Sequence, residues 1–105
     1  MERIVIVAYK PFPGKEAALI ALMEAHWEIL NRENLVSSRK PTIMQAKNGT
    51  VIEVFGWKSN DAIASAHTNP AVQKMWDDYA QVCEYVPIGN VDESTRLFSE
   101  FTPLN

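Results

Sequence analysis

The chain has 105 residues, a length that predicts a single domain over residues 1–105 with one modest core. Apolar residues make up 47% of the sequence and charged residues 22%, which excludes a disordered chain, and the net charge of −3 argues against nucleic-acid binding. The single cysteine, Cys83, excludes an internal disulfide and is typical of a reducing compartment. The first apolar run is too short for a signal peptide or a membrane span, so we expect a cytoplasmic protein without membrane contact.

The first third of the chain predicts a strand followed by a helix. The run from Arg3 to Tyr9 is rich in β-branched residues without polar alternation, which is typical of a strand buried on both faces. From Lys15 to Leu30, apolar residues recur at helical spacing. The predicted apolar stripe of this helix consists of Leu19, Leu22, Met23, His26 and Leu30.

Two strand-like runs, Thr42 to Lys47 and Thr50 to Trp57, flank the pair Asn48-Gly49. Asn-Gly between two such runs predicts a hairpin with a two-residue type I′ turn, because both central residues of that turn need positive φ. In this register Lys47 lies opposite Thr50. One face is predicted to carry Met44, Ala46, Val51, Glu53, Phe55 and Trp57, and the other Ile43, Gln45, Ile52 and Val54.

Two further helices are predicted after the hairpin. Ser59 is a suitable cap for a short helix that continues to about His67. Asn69 and Pro70 have the residue types of an N-cap and a first helical position, and the longer helix that they begin is predicted to reach Tyr85. Its predicted apolar face consists of Val72, Met75, Trp76, Tyr79, Val82 and Cys83.

Alternation between Thr95 and Phe101 predicts a closing strand. The resulting βαββαβ order predicts an α+β, ferredoxin-like domain with an antiparallel sheet whose helices cover one face. The other face would expose more apolar surface than a monomer usually shows. We therefore expect a homodimer in which two sheet faces pack across a two-fold axis.

The stretch from Glu53 to Trp76 resembles the dimeric α/β-barrel superfamily that includes the antibiotic-biosynthesis monooxygenases. In that group a strand ends in Trp, a short helix ends in His and a Pro begins the long helix. Trp57, His67 and Pro70 match these places. The resemblance implies a dimeric α/β barrel and an oxidoreductase, a cofactor-independent monooxygenase that acts on an aromatic or hydrophobic substrate.

The haem-degrading branch of this superfamily fits the sequence poorly. That branch uses an Asn on the first strand, a Trp in the short helix and a His ligand in the long helix. The first strand here has no Asn, and Ala66 and Trp76 stand where the Trp and the His would be. We therefore expect no cofactor, and no metal ion either, since two distant histidines and one cysteine do not form a ligand set.

Three residues are candidates for acid–base catalysis: His67, Glu53 and His26. His67 ends the short helix, where an imidazole could exchange protons with a substrate or merely cap the helix. His26 lies on an apolar stripe, where a hydrogen-bonded core histidine is the alternative. Glu53 would be a buried carboxylate beside Phe55, which is the environment of a general base, unless a salt bridge with Arg96 or one across the dimer holds it.

Five aromatic residues are interpreted as substrate contacts: Trp57, Trp76, Tyr79, Phe55 and Tyr9. The same spacing is typical of an ordinary core, so that alternative remains open. Cys83 has no cation nearby in the predicted helix and is expected to be unreactive.

Three functions follow from these alternatives. In the enzyme hypothesis, His67 anchors the substrate or relays a proton between aromatic walls. A proton-transfer isomerase would need Glu53 and a histidine at one open site. The non-catalytic alternative, a dimeric ligand-binding or stress-related barrel, would have side chains filling the space between the long helix and the sheet.

Overall fold

The computed structural model describes residues 1–105, which form a five-stranded antiparallel sheet and three α-helices. The elements in chain order are β1 (Arg3–Pro11), α1 (Glu16–Arg32), β2 (Thr42–Gln45), β3 (Val51–Trp57), α2 (Asn60–Ala66), α3 (Pro70–Ala80), β4 (Cys83–Val86) and β5 (Thr102–Pro103). The strand order is β4-β1-β3-β2-β5. This α+β arrangement is compatible with a ferredoxin-like fold. None of the helices combines the length and apolar character that crossing a bilayer requires.

The starts of α2 and α3 confirm the predicted caps. The Ser59 hydroxyl accepts a hydrogen bond from the Ala62 N–H at 3.1 Å. The Asn69 side-chain oxygen accepts from the N–H groups of Ala71 and Val72 at 2.9 and 3.2 Å. These bonds satisfy donors that have no partner within the helix, so local sequence fixes where both helices begin.

The loop between β2 and β3 is one residue longer than predicted. The Gly49 N–H donates to the Ala46 carbonyl at 3.0 Å, and the Ala46 N–H donates to the Thr50 carbonyl at 2.8 Å. Lys47, Asn48 and Gly49 therefore form a three-residue loop. Its last residue, Gly49, has a φ of +93°, the left-handed conformation that a hairpin loop of this length needs.

The predicted hairpin register was accordingly wrong by one residue. Ile43, and not Met44, lies opposite Glu53, while Met44 lies opposite Ile52. A one-residue shift moves every side chain of a strand to the other face. Ile43 and Gln45 of β2 thus share the helix-covered face with Glu53.

The predicted end of the long helix and the predicted closing strand were also wrong. α3 ends at Ala80, and the fourth strand is Cys83–Val86, which pairs with β1. Residues 95–101 form no strand, and the short β5 (Thr102–Pro103) pairs with β2 instead. A short apolar run fits the pattern of a helix as well as that of a strand. In residues 83–86, pairing with β1 selects the strand.

The three helices cover one sheet face, and residues 87–101 cover the other only in part. The helix-side core includes Tyr9, Leu19, Met23, Leu30, Phe55, Trp57, Val72, Met75 and Tyr79. On the opposite face, Val91 packs with Ala8 and Ile52. Ile4 and Ile6 on β1 remain 54% and 53% exposed on that face. Both faces of the sheet are therefore apolar, but only the face under the helices is fully covered.

We predict that Gly49→Ala destabilises the fold by about 1–2 kcal/mol, since an L side chain in the left-handed region is strained. Gly89→Ala is the matched control, because Gly89 lacks positive φ and an added Cβ there meets nothing within 4 Å. Urea unfolding of both variants measures the difference. Equal stability of the two variants would contradict the observed loop conformation.

Candidate functional site

A carboxylate without solvent contact lies on the helix-covered face of β3. Glu53 is 0% exposed. The Tyr9 hydroxyl on β1 donates to Glu53 Oε1 at 2.9 Å. The Nδ1 of His26 on α1 lies 3.0 Å from Oε2 and 2.9 Å from Oε1 of the same carboxylate. Three elements of the fold therefore meet at one buried carboxyl group: β3 carries it, and β1 and α1 each supply a polar partner.

Strand pairing and helix position bring these three side chains together. Val7 is the cross-strand partner of Glu53, and Val51 is the partner of Tyr9, so Tyr9 and Glu53 lie diagonally on one face. His26 lies on the buried stripe of α1, which packs over that face. The contact between the imidazole and the carboxylate is therefore set by tertiary packing.

Aromatic rings enclose the contact between Glu53 and His26. The His26 ring meets Phe55 edge-to-face at a centroid distance of 5.3 Å and Tyr79 at 5.6 Å. Tyr79 stacks on Tyr9 at 5.3 Å, and its hydroxyl donates to the Met23 sulfur at 3.3 Å. Such a wall excludes water and strengthens the hydrogen bonds inside it.

Burial also fixes the protonation of the neighbouring phenols. Loss of hydration raises the pKa of Tyr9 well above its ordinary value, and the charge of Glu53 raises it further. The pKa of Tyr79 is raised for the same two reasons, with loss of hydration again the larger. Tyr9 therefore keeps its proton and serves as a donor to Glu53 at neutral pH. The Tyr9 O–H and the His26 Nδ1 are thus the two hydrogen-bond partners of the Glu53 carboxyl group.

The fold divides the predicted site residues into two groups. The group around the Glu53–His26 contact consists of Tyr9, His26, Glu53, Phe55 and Tyr79. Trp57 adjoins it through Phe55, at a ring distance of 5.3 Å. His67 lies apart from this group, exposed at the end of α2, and its ring lies 5.3 Å from that of Trp76. The two histidines thus do not share a site.

Two predictions about neighbouring residues need correction. No salt bridge joins Glu53 to Arg96, because Arg96 pairs with Asp92 at 2.9 Å on the surface. Cys83 lies on β4 rather than on the long helix, with its thiol donating to the Tyr79 carbonyl at 3.3 Å. Burial raises the pKa of Cys83 to about 11, so it is a thiol and not a thiolate at neutral pH.

A groove of about 300 Å³ lies between α1, the start of β2 and the end of the chain. Met23 and Ile43 are among the side chains that line it. Met23 precedes His26 by one helical turn, and Ile43 is the strand partner of Glu53. The inner wall of the groove is therefore formed by side chains next to Glu53 and His26.

The last residues of the chain complete this groove. The Leu104 N–H donates to the Ile43 carbonyl at 2.8 Å, and the Ile43 N–H donates to the Asn105 side-chain oxygen at 2.9 Å. The Asn105 amide in turn donates to the Pro41 carbonyl at 2.8 Å. Sequence reasoning missed the groove because residues 102–105 carry no periodic signal that would place them beside β2.

Comparison of the chain with family models, with curated proteins and with solved structures gives no match. No group of three or more His, Cys, Asp or Glu side chains is placed to hold a metal ion.

We predict that Tyr9→Phe destabilises the protein by about 1–3 kcal/mol, because Glu53 loses a buried donor. Tyr85→Phe removes the same atom from a side chain that is 51% exposed, and should change the free energy of unfolding by less than about 0.5 kcal/mol. Urea unfolding at neutral pH compares the two. Similar losses in both variants would show that the Tyr9–Glu53 bond contributes little.

We also predict that stability falls as the pH rises above about 9. The unfolded chain releases the Cys83 proton near 9.0 and tyrosine protons near 10.0, whereas the raised pKa values of Cys83, Tyr9 and Tyr79 keep these protons on the folded chain. The stability that these three groups contribute is thus complete below pH 9 and is lost as the pH rises further. Tyr79→Phe should reduce the loss of stability above pH 10, and urea unfolding at a series of pH values measures this loss. Parallel curves of the free energy of unfolding against pH for wild type and variant would contradict the raised pKa of Tyr79.

Proposed function

We propose that this protein is a small-molecule enzyme that removes a proton from a flat hydrophobic substrate, in the manner of a cofactor-independent monooxygenase. The observation that carries the proposal is the buried Glu53 carboxylate held against His26 in an apolar surrounding. A carboxylate and an imidazole in contact can accept a proton and pass it on. An enclosure without water would protect a carbanion from side reactions.

The proposed reaction balances with dioxygen as its only co-reactant. Glu53 accepts a proton from a CH₂ group that adjacent aromatic or carbonyl groups make acidic. The carbanion transfers one electron to O₂, and the substrate radical and superoxide combine to a peroxide anion. This anion takes up a proton from the Glu53–His26 pair and then loses water. One CH₂ group and one O₂ thus become one C=O group and one H₂O.

We propose that the substrate reaches Glu53 and His26 from the groove beside α1. Met23 and Ile43 separate the groove from His26 and Glu53. The unbranched thioether side chain of Met23 has three rotatable bonds and adapts its shape easily. Rotation of Met23 away from the Tyr79 hydroxyl would open a path from the groove to the imidazole.

His67 is not the proton-transfer residue in this proposal. His67 is exposed beside Trp76, and none of its ring atoms bonds to Glu53 or Tyr9. Proton transfer is therefore assigned to Glu53 and His26, with Tyr9 as the donor that orients the carboxylate.

We predict that Glu53→Gln lowers kcat/KM at least about 100-fold, the usual effect of losing a general base. His67→Ala is the matched control and should retain the wild-type value. Oxygen uptake with quinol-like or anthrone-like substrates measures both. Absence of uptake by the wild type would exclude the monooxygenase, and equal rates from wild type and Glu53→Gln would exclude Glu53 as the base.

Deuterium exchange into the acidic CH₂ group, measured without oxygen, separates proton transfer from oxygenation. Exchange without oxygen uptake would favour the isomerase alternative.

The second candidate function is a non-catalytic dimeric barrel that binds a ligand or serves in a stress response. The observation in its favour is that Tyr79 and Met75 are buried between α3 and the sheet. In that case Tyr9, Glu53 and His26 fix the packing of α1 on the sheet. Neither exchange nor oxygen uptake would then occur with any substrate.

We further propose that two copies associate through the sheet face that residues 87–101 cover only in part. Ile4 and Ile6 are half-exposed there, and Leu97 and Phe98 of the covering segment are exposed. Burial of such a patch against an identical one is the simplest way to remove it from water.

Sedimentation equilibrium tests the dimer. The wild type is expected to have twice the mass of the chain, and Ile6→Lys should shift it to monomer because a charge is placed in the apolar contact. Ala25→Lys, at an exposed position of α1, is the matched control and should leave the mass unchanged. A monomeric wild type would contradict the dimer.

A further inference from the structure

All three tyrosines of the chain lie in one cluster, which runs from the surface to the buried Glu53. Tyr85 on the edge strand β4 is 51% exposed and is the cross-strand partner of Tyr9 on β1. The centroids of these two rings lie 5.3 Å apart, and Tyr79 stacks on Tyr9 at the same distance. Rings at this separation are in contact. Because electron tunnelling falls steeply with distance, electrons pass readily between such rings.

The two buried tyrosines differ in the acceptor that their hydroxyl groups contact. Removal of one electron from a phenol makes its O–H strongly acidic, so the radical becomes neutral only where a base takes up the proton. The Tyr9 hydroxyl donates to the Glu53 carboxyl group at 2.9 Å, and His26 Nδ1 lies 3.0 Å from the other oxygen of that group. The Tyr79 hydroxyl donates to the Met23 sulfur, which is only a weak acceptor. Tyr9 is therefore the buried tyrosine with a base in place.

We propose that Tyr85 and Tyr9 form a relay that takes an oxidising equivalent from the surface and holds it as a neutral radical on Tyr9. The reactants at the surface are one-electron oxidants, with oxygen-centred radicals as their biological class. No substrate in the groove takes part, so the relay does not depend on the proposed reaction.

The transfer balances in two steps. An oxygen-centred radical takes a hydrogen atom from the Tyr85 hydroxyl and leaves as a closed-shell molecule. Tyr9 then gives one electron to the Tyr85 radical, which takes up a proton from water and becomes a phenol again. The proton of Tyr9 passes to the Glu53–His26 pair. One radical is thus consumed at the surface, and one neutral radical remains on Tyr9.

Burial suits Tyr9 to the end of the relay. Its side chain is 2% exposed, and loss of hydration raises its pKa well above the ordinary value. The phenol therefore keeps its proton until it is oxidised, and Glu53 is the acceptor within reach. Exclusion of water also protects a reactive intermediate from side reactions.

Flash oxidation of the full chain by photogenerated tris(bipyridine)ruthenium(III), followed by freeze-quench EPR, tests the relay. This oxidant is too large to enter the core and acts at the surface, where the Tyr85 proton goes to water. Ring-deuterated tyrosine identifies the tyrosyl signal and separates it from tryptophan radicals. The wild-type radical is expected to live at least about 10-fold longer than any tyrosyl radical of Tyr9→Phe, since water is excluded from Tyr9.

Two further variants separate the base from mere packing. Tyr79→Phe is the matched control, because it removes a hydroxyl from an equally buried ring and should keep the long-lived radical. Glu53→Gln should shorten the lifetime to that of Tyr9→Phe, since an amide accepts a hydrogen bond but does not take up the proton.

Tyr85→Phe tests the surface end of the relay and changes only a half-exposed side chain, so it serves even if a core variant does not fold. It should lower the yield of the long-lived radical, because the exposed ring of the cluster is no longer oxidised. Absence of a tyrosyl radical in the wild type, a long-lived radical that survives in Tyr9→Phe, or an unchanged yield from Tyr85→Phe would each overturn the relay.

Discussion

The carboxylate of Glu53 is bound by the Tyr9 hydroxyl and the His26 imidazole, and this contact ties β3 to β1 and α1. An ionised group without water depends on every partner that it has, because removing one leaves charge or hydrogen-bonding capacity unpaired in a low dielectric. The surrounding aromatic rings pack against this contact. Tyr79 stacks on Tyr9, and Phe55 meets the His26 ring edge-on. The groove wall at Met23 is joined to the same set through the Tyr79 hydroxyl.

An apolar core of the same shape would avoid the free-energy cost of dehydrating a carboxylate. A buried carboxyl group in contact with an imidazole in the middle of the sheet is therefore a reason to propose a function for this pair. In that function Glu53 and His26 would move the proton. Met23 lies between them and the groove beside α1, and its rotation would open or close the path.

Local signals in the sequence were sufficient to predict where α2 and α3 begin, because Ser59 and Asn69 cap these helices. They were also sufficient to predict whether most elements are helices or strands. These signals could not determine the length of the hairpin loop. Asn48-Gly49 suits both a two-residue turn and a three-residue loop with Gly49 in the left-handed region. Both histidines and Glu53 were named as candidates, yet their contacts were not predictable. Whether Glu53 meets His26 or Arg96 depends on register and on helix packing, which pair residues far apart in the chain.

Long-range ¹⁵N–¹H NMR of the imidazole rings tests the central contact most directly, since the chain has only two histidines. The account predicts that the His26 ring carries a proton on Nδ1 that exchanges slowly with water, because it donates to the buried Glu53 carboxylate. The exposed His67 should exchange rapidly and prefer the Nε2–H form of a free imidazole. An unprotonated Nδ1 on His26, or rapid exchange of its proton, would contradict the account.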